Sequence, residues 1–106
     1  MSAAAILERL AETIAARKDA DPATSYVASL MHRGHDAVLK KLAEEAAETL
    51  LAAKDGNKAH LVHETADLWF HSLVVLAWHG VGVQDVLAEL ARREGVSGLA
   101  EKRSRG

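Results

Sequence analysis

Apolar residues recur along most of the chain at the three- and four-residue spacing of an amphipathic helix, and no segment alternates as a β-strand does. The pattern predicts helices at about residues 2–18, 22–33, 36–54 and 58–79. A last helix is expected to start near Val83 and to end somewhere in the segment from Arg92 to Gly95. We therefore expect an all-α fold, a four- to five-helix bundle. Residues 1–106 would form a single domain, with residues 97–106 as a short C-terminal tail.

Residues with known preferences for helix ends mark these boundaries. Asp21 is expected to cap the second helix, with Pro22 at its first position, where the missing N–H is not needed. Asp36 and Asn57 are expected to cap the third and fourth helices. The turn around Gly56 then makes these two long helices an antiparallel pair at the centre of the bundle.

The two central helices differ in how their apolar residues are distributed. Helix 58–79 is apolar almost all round, whereas helix 36–54 has one apolar face, with Glu45 at its edge. That face consists of Val38, Leu39, Leu42, Ala46, Thr49, Leu50 and Ala53. A helix that is apolar on all sides must be buried, and a chain of 106 residues can rarely bury one alone. We therefore expect dimerisation to complete the bundle.

Acidic residues occupy matching positions on the two central helices. With the turn at Gly56, Glu48 and Glu64 are expected to face each other, because each lies eight residues from the turn. Glu45 and Asp67 each lie eleven residues from it, so the two pairs sit roughly 12 and 16 Å along the hairpin. Four such carboxylates repel one another unless a cation lies among them, and Mg²⁺ prefers oxygen ligands. The spacing predicts a Mg²⁺ site that would meet phosphates, with Mn²⁺ also possible.

Two less specific interpretations of these acids remain open. The run Glu44–Glu48 alone is more often a solvated helix face than a site. Glu64 and Asp67 share the polar stripe of the fourth helix with His60 and His71, and such residues can also form a structural polar network. A di-iron bundle is disfavoured, because it needs Glu-x-x-His pairs on two helices and the acidic pairs here do not provide them.

Composition excludes several other classes of function. The chain contains no cysteine, which excludes disulfides, thiolate metal sites and a cysteine nucleophile. Its formal net charge of −2 gives no general attraction to nucleic acid or to a membrane. There is no apolar run of about 18 residues and no secretory signal pattern, so a cytoplasmic protein is expected.

Several motifs in order make the chain similar to a known family. Glu-Glu-x-x-Glu followed by Glu-x-x-Asp resembles the acidic motifs of the all-α nucleoside triphosphate pyrophosphohydrolases, and within them the chain resembles the phosphoribosyl-ATP pyrophosphatase family of histidine biosynthesis. Residues 41–48 resemble K-V-G-E-E-A-x-E, 64–71 resemble E-A-A-D-L-x-Y-H, 87–93 resemble L-x-x-L-x-x-R, and 97–102 resemble S-G-x-x-E-K. Ser25-Tyr26 before Gly34 matches the family's S-Y…G segment, whereas Ala43 and Phe70 replace its usual Gly and Tyr.

This resemblance implies Mg²⁺-dependent hydrolysis of 1-(5-phosphoribosyl)-ATP between its α- and β-phosphates, giving 1-(5-phosphoribosyl)-AMP and pyrophosphate. It implies metal binding by Glu45, Glu48, Glu64 and Asp67. Glu44 or Glu45 would orient or deprotonate the attacking water, and His71 would orient an acid. The expected phosphate contacts are Lys41, Arg92, Arg93 and Lys102. A house-cleaning pyrophosphohydrolase for non-standard nucleotides and a non-catalytic dimerisation bundle are the alternatives.

Overall fold

The computed structural model describes residues 2–95 together with Lys102 and Arg103, and all the regular elements in that part of the chain are α-helices. They are α1 (Ala3–Arg17), α2 (Tyr26–His32), α3 (His35–Asp55), α4 (Lys58–Trp78) and α5 (Val83–Glu94). The predicted all-α class is confirmed. Four of the five helices begin within one residue of their predicted starts, and α2 begins four residues later than predicted.

The predicted start of α2 is wrong because a different side chain caps it. The helix begins at Tyr26, and the Ser25 hydroxyl accepts a hydrogen bond from the backbone N–H of Ala28 at 3.2 Å. Asp21 instead accepts from the N–H of Ala23 at 2.9 Å, so it stabilises the turn that precedes the helix. This shift places Tyr26 in the first turn of α2.

The start of α3 also differs from the prediction, while the start of α4 agrees with it. α3 follows Gly34, whose φ of 104° lets the chain reverse tightly after α2, and Asp36 lies within the first turn instead of capping it. There its negative charge still favours the positive end of the helix dipole. Asn57 caps α4 as predicted, because its side-chain oxygen accepts from the N–H of His60 at 3.0 Å.

The core lies where α1, α2 and α5 pack around the C-terminal half of α4 and the start of α3. Its buried members are Ile14, Val27, Leu30, Met31, Val38, Leu73, Val74 and Val83. Residues 45–67 form the far part of the α3–α4 hairpin, which we call the arm. Of the arm residues only Glu45, Ala52 and Glu64 are buried, so helix-to-helix contact is what holds the arm together.

The buried side of α3 is rotated from the face that its apolar residues predict. Glu45, expected at the edge of that face, is only 4% exposed and lies in the contact with α4, whereas Leu50 is 62% exposed. Val62 and Trp69 are exposed on α4, so the expectation that this whole helix is buried is not met within one chain. The radius of gyration of 15.7 Å exceeds the roughly 13 Å of a compact domain of this length, because the arm projects from the core.

Within the described ranges, no single helix is long and apolar enough to cross a membrane. Together α4 and α5 meet that test by length and composition, but they are bent by 117° where they join.

Candidate active site

Carboxylates from both helices of the arm converge near its base. Oxygen atoms of Glu45, Glu48 and Glu64 all lie within 4.8 Å of one another. Glu64 also belongs to a second group, in which its ligand atom lies within 4.8 Å of those of His63 and Asp67. Glu64 therefore connects Glu45 and Glu48 to Asp67, and the four predicted acids form a continuous strip of carboxylates across the helix pair.

Two of these carboxylates are buried without a full set of partners. Glu45 is 4% and Glu64 is 8% exposed. The Oε2 atom of each is shielded from solvent and has no hydrogen-bond partner among the described residues. A buried carboxylate oxygen that is left unpaired is energetically costly, and these two belong to one cluster. Such a donor set fits a hard divalent cation, which takes oxygen ligands and would satisfy both atoms.

The other oxygens of the cluster are held by nearby nitrogen atoms. Lys41 Nζ lies 3.2 Å from Oε1 of Glu45, and this hydrogen bond raises the pKa of Lys41 above its ordinary range. His60 Nε2 lies 3.2 Å from Oε1 of Glu64. Each buried carboxylate therefore has one oxygen directed at a nitrogen and one oxygen available, and these partners hold the acids in place.

The helices approach closely enough for the acids to meet because small residues lie between them. Ala52 is fully buried on the α3 side that faces α4. One turn away, Oγ1 of Thr49 lies 2.8 Å from the carbonyl oxygen of Glu45 and 3.1 Å from that of Glu64. The single hydroxyl proton is shared between the two helices, so Thr49 fixes the register that brings the carboxylates together.

A second polar group connects α2 to this cluster through His71, which is buried. The Nδ1 atom of His71 lies 2.7 Å from the backbone carbonyl of Asp67, and a carbonyl can only accept, so Nδ1 carries the proton. The other ring nitrogen, Nε2, then accepts from the hydroxyl of Tyr26 at 2.8 Å. His71 thereby ties Tyr26 to the backbone of a metal-ligand candidate, and its orienting role stays a prediction.

Tyr26 lies at the edge of a cavity beside the acids. The cavity has a volume of about 420 Å³ and is lined by Tyr26, Lys41, Glu45, Asp67, Phe70 and His71. Burial of the phenol raises the pKa of Tyr26 above its ordinary value. Tyr26 as a whole residue is still 51% exposed. It is therefore an aromatic surface available at the entrance to the acidic cluster.

The remaining predicted residues lie in several places. Glu44 is exposed on α3, with its carboxylate 3.8 Å from Lys41 Nζ, and does not belong to the groups formed by the other acids. Arg92 and Arg93 lie on α5, where both bind Glu89 and their hydrogen bonds lower its pKa to about 2. Lys102 is exposed. The S-G-x-x-E part of the tail motif, residues 97–101, lies outside the described residues.

Sequence reasoning did not assign a site role to Tyr26 or Thr49. Tyr26 was part of the Ser25-Tyr26 match, but helical spacing gave no reason to place it beside residues 41 positions further along the chain, such as Asp67. Thr49 was placed on the apolar face of helix 36–54 by its helical position. That position does not show that its hydroxyl reaches the carbonyl oxygen of Glu64 on the neighbouring helix.

Comparison with known proteins agrees with these features. Residues 7–94 match the model of the family described as phosphoribosyl-ATP pyrophosphohydrolase. A phosphoribosyl-ATP pyrophosphatase of Nitrosospira multiformis is 64% identical over 105 residues, which are 99% of this chain and 87% of the relative. One from Chromobacterium violaceum is 61% identical over 94% of this chain and 93% of its own length. One from Neisseria meningitidis is 55% identical over 94% of each.

Proposed function

Since this chain belongs to the phosphoribosyl-ATP pyrophosphohydrolase family, we propose that it is the hydrolase that converts 1-(5-phosphoribosyl)-ATP to 1-(5-phosphoribosyl)-AMP in histidine biosynthesis. Water attacks a phosphorus atom of the bridge between the α- and β-phosphates, that P–O–P bond breaks, and pyrophosphate leaves. The observation that supports this best is the pair of buried, unpartnered oxygens on Glu45 and Glu64. A cytoplasmic location stays a prediction from the sequence.

We propose that Glu45, Glu48, Glu64 and Asp67 hold Mg²⁺, with Mn²⁺ as a substitute. When bound, the ion would neutralise phosphate oxygens and stabilise the charge that builds on them. The side chains of α3 and α4 hold the ligands in position before the substrate arrives, because Lys41 and His60 fix one oxygen on each of the two buried acids. This pre-organisation lowers the cost of assembling the site.

Further residues are proposed to act on the water and the substrate. Glu44 and Glu45 both have a carboxylate oxygen within 4.0 Å of Lys41 Nζ, and we propose that one of them orients or deprotonates the attacking water. Lys41 is proposed to contact a phosphate. Arg92, Arg93 and Lys102 stay candidates for phosphate contacts. His71 lines the cavity, and its proposed role is to hold the backbone of Asp67 through its protonated Nδ1.

The decisive experiment measures pyrophosphate release from phosphoribosyl-ATP in the presence of Mg²⁺. Glu48→Gln and Asp67→Asn should each abolish the activity, because each removes the charge of a proposed metal ligand. Circular dichroism should show unchanged helicity, because both side chains are at least partly exposed and the substitutions keep their shape. Glu12→Gln, an exposed residue of α1, is the matched control and should keep full activity. Full activity in either site variant would refute the metal assignment.

The same assay with a panel of non-standard deoxynucleoside triphosphates tests the choice of substrate. Phosphoribosyl-ATP should be hydrolysed with a much higher kcat/KM than any member of the panel. Preference for a deoxynucleotide would instead assign the chain to nucleotide-pool cleaning. Absence of both hydrolysis and Mg²⁺ binding would favour a structural polar network.

We further propose that two copies of the chain associate through exposed apolar residues of the arm and of the part of α4 that follows it. Leu50, Val62 and Trp69 are each more than half exposed, and an apolar groove of about 290 Å³ runs between Trp69 and α5. Exposed apolar surface of this kind is typical of a protein interface. Sedimentation should show a dimer for the wild-type chain and a monomer for Val62→Glu. A wild-type monomer at micromolar concentration would refute this proposal.

A further inference from the structure

A small groove lies next to the acidic cavity, between the α2 region and the first half of α3. It has a volume of about 180 Å³ and is lined by Tyr26, Arg33, Ala37, Lys40, Lys41 and Glu44. Whole-ligand pockets usually exceed about 300 Å³, so this groove is sized for one chemical group and not for a nucleotide. It shares Tyr26 and Lys41 with the acidic cavity, so a single molecule can occupy both.

The charge of the groove is opposite to that of the neighbouring cluster. Three cations line it against one carboxylate, in a chain whose formal net charge is −2. Lys41 is engaged with Glu44 and Glu45, whereas the side chains of Arg33 and Lys40 form no hydrogen bond or ion pair with the described residues. A guanidinium beside ammonium groups at a concave surface suits a phosphate, which Arg binds through two parallel hydrogen bonds.

We propose that Arg33 and Lys40, with Lys41, form an anion subsite that binds a phosphate group of the substrate outside the metal cluster. The inference rests on the proposed function, which supplies a substrate with phosphate groups in two separate places. Phosphoribosyl-ATP carries a triphosphate and a separate phosphate on its second ribose. The carboxylates of the acidic strip repel a phosphate unless a cation lies between them, whereas this groove already carries net positive charge.

Two parts of the substrate could supply the bound group, and both have the same chemistry. The first is the phosphate of the phosphoribosyl unit, and the second is the pyrophosphate that leaves. In either case Tyr26 separates the two compartments, because its ring borders both and its hydroxyl is held by His71. The subsite would select molecules whose phosphate groups span the distance between the acids and Arg33.

The test uses Arg33→Gln, Lys40→Gln and the double variant, with Arg17→Gln and Lys54→Gln as matched controls. Both control residues are exposed cations outside the groove. For each groove variant, KM for phosphoribosyl-ATP should rise about 10-fold or more, the usual effect of losing a charged hydrogen bond, with kcat nearly unchanged. The controls should retain the wild-type KM.

Inhibition by ribose 5-phosphate and by inorganic pyrophosphate identifies the group that is bound. Weaker inhibition by ribose 5-phosphate alone would place the phosphoribosyl end in the groove, and weaker inhibition by pyrophosphate alone would place the leaving group there. Unchanged KM and unchanged inhibition by both compounds, in an active enzyme, would overturn the subsite and leave the proposed function intact.

Binding of pyrophosphate, measured calorimetrically in the presence of a chelator, tests the groove without any reaction. The affinity should fall about 10-fold or more in the double variant and stay unchanged in the controls. If the double variant loses affinity for pyrophosphate and the wild-type protein does not hydrolyse phosphoribosyl-ATP, the subsite is supported and the proposed function is refuted. Equal affinity in the wild type and the double variant would overturn the subsite.

Discussion

If the acidic strip is a cation site, removing one of its charges should stabilise the metal-free protein. Glu64→Gln is the most informative change, because Glu64 belongs to both groups of ligand atoms and is buried. Glutamine keeps the size of the side chain and can still form a hydrogen bond with His60. The substitution therefore removes charge repulsion with little change in packing.

The size of the effect follows from the distance between the buried acids. Oxygens of Glu45 and Glu64 lie within 4.8 Å of each other. Two unit charges at about that distance, with an effective dielectric constant of about 20, repel by about 3 kcal/mol. Lys41 and His60 offset part of this repulsion, so we expect Glu64→Gln to raise the free energy of unfolding by about 1–2 kcal/mol without metal. The corresponding increase in melting temperature is about 4–8 °C per kcal/mol for a domain of this size.

The assay compares thermal unfolding of the wild type and Glu64→Gln in chelator and in millimolar Mg²⁺, at neutral pH and at equal protein concentration. In chelator the variant should melt at the higher temperature. In Mg²⁺ the wild type should gain stability by binding the ion, about 2.7 kcal/mol at 100 times the Kd, whereas the variant should gain little. The difference between the two melting temperatures should therefore become smaller or change sign. Glu12→Gln should follow the wild type in both buffers.

Two results would refute this reasoning. If Glu64→Gln melts below the wild type in chelator, the carboxylate is a net stabilising member of a polar network and not a repelled charge. If Mg²⁺ stabilises the wild type and the variant equally, the ion binds elsewhere. Neither measurement depends on activity, so both remain informative if the substrate assignment fails.

Three further predictions follow from the same geometry. The chain has a single tyrosine, so absorbance titration should place the pKa of Tyr26 above its ordinary value of 10.0 in the folded protein and near 10.0 in denaturant. Because the pKa is raised in the folded state, the contribution of Tyr26 to stability is present below about pH 10 and is lost as the pH rises further. An unshifted folded value would contradict the burial of the phenol. Gly56→Ala should lower the free energy of unfolding, measured in denaturant, by about 1–2 kcal/mol, because Gly56 has a φ of 73° that an alanine adopts only with strain. Backbone strain is the only penalty expected, because no atom lies within 4 Å of an added Cβ. Ala52→Leu should destabilise by about 1–3 kcal/mol and weaken Mg²⁺ binding measured calorimetrically, because it forces α3 and α4 apart; unchanged Mg²⁺ affinity would show that the acids do not depend on this crossing.

Most of the helical framework could be predicted from the sequence, because its determinants are local. Asn57 and Gly56 define the turn between α3 and α4 through a cap and a positive φ, and both depend only on neighbouring residues. Counting the same number of residues from that turn along each helix was enough to predict which acids of the two helices lie opposite each other. The shared antiparallel geometry of any helical hairpin made that inference independent of the rest of the fold.

Rotation of each helix about its own axis could not be obtained in that way. The apolar residues of α3 pointed to a buried face that includes Leu50, yet the face against α4 is the one with Glu45 and Ala52. The sequence pattern records which residues avoid water, and it does not distinguish a contact within the chain from a contact with another molecule. Leu50 is exposed in the single chain, as our dimer proposal requires.

The sequence by itself determined the helices, their order, the turn and the level at which the acids meet, because each depends on spacing along one helix or across one short connection. The tertiary structure alone decided that Glu45 and Glu64 are buried with one oxygen unpaired on each. It also decided that α2 brings Tyr26 and Arg33 to Lys41, creating a positive groove beside the acidic strip. Such contacts depend on how α2 packs against the helix pair, and no spacing along the chain encodes that packing.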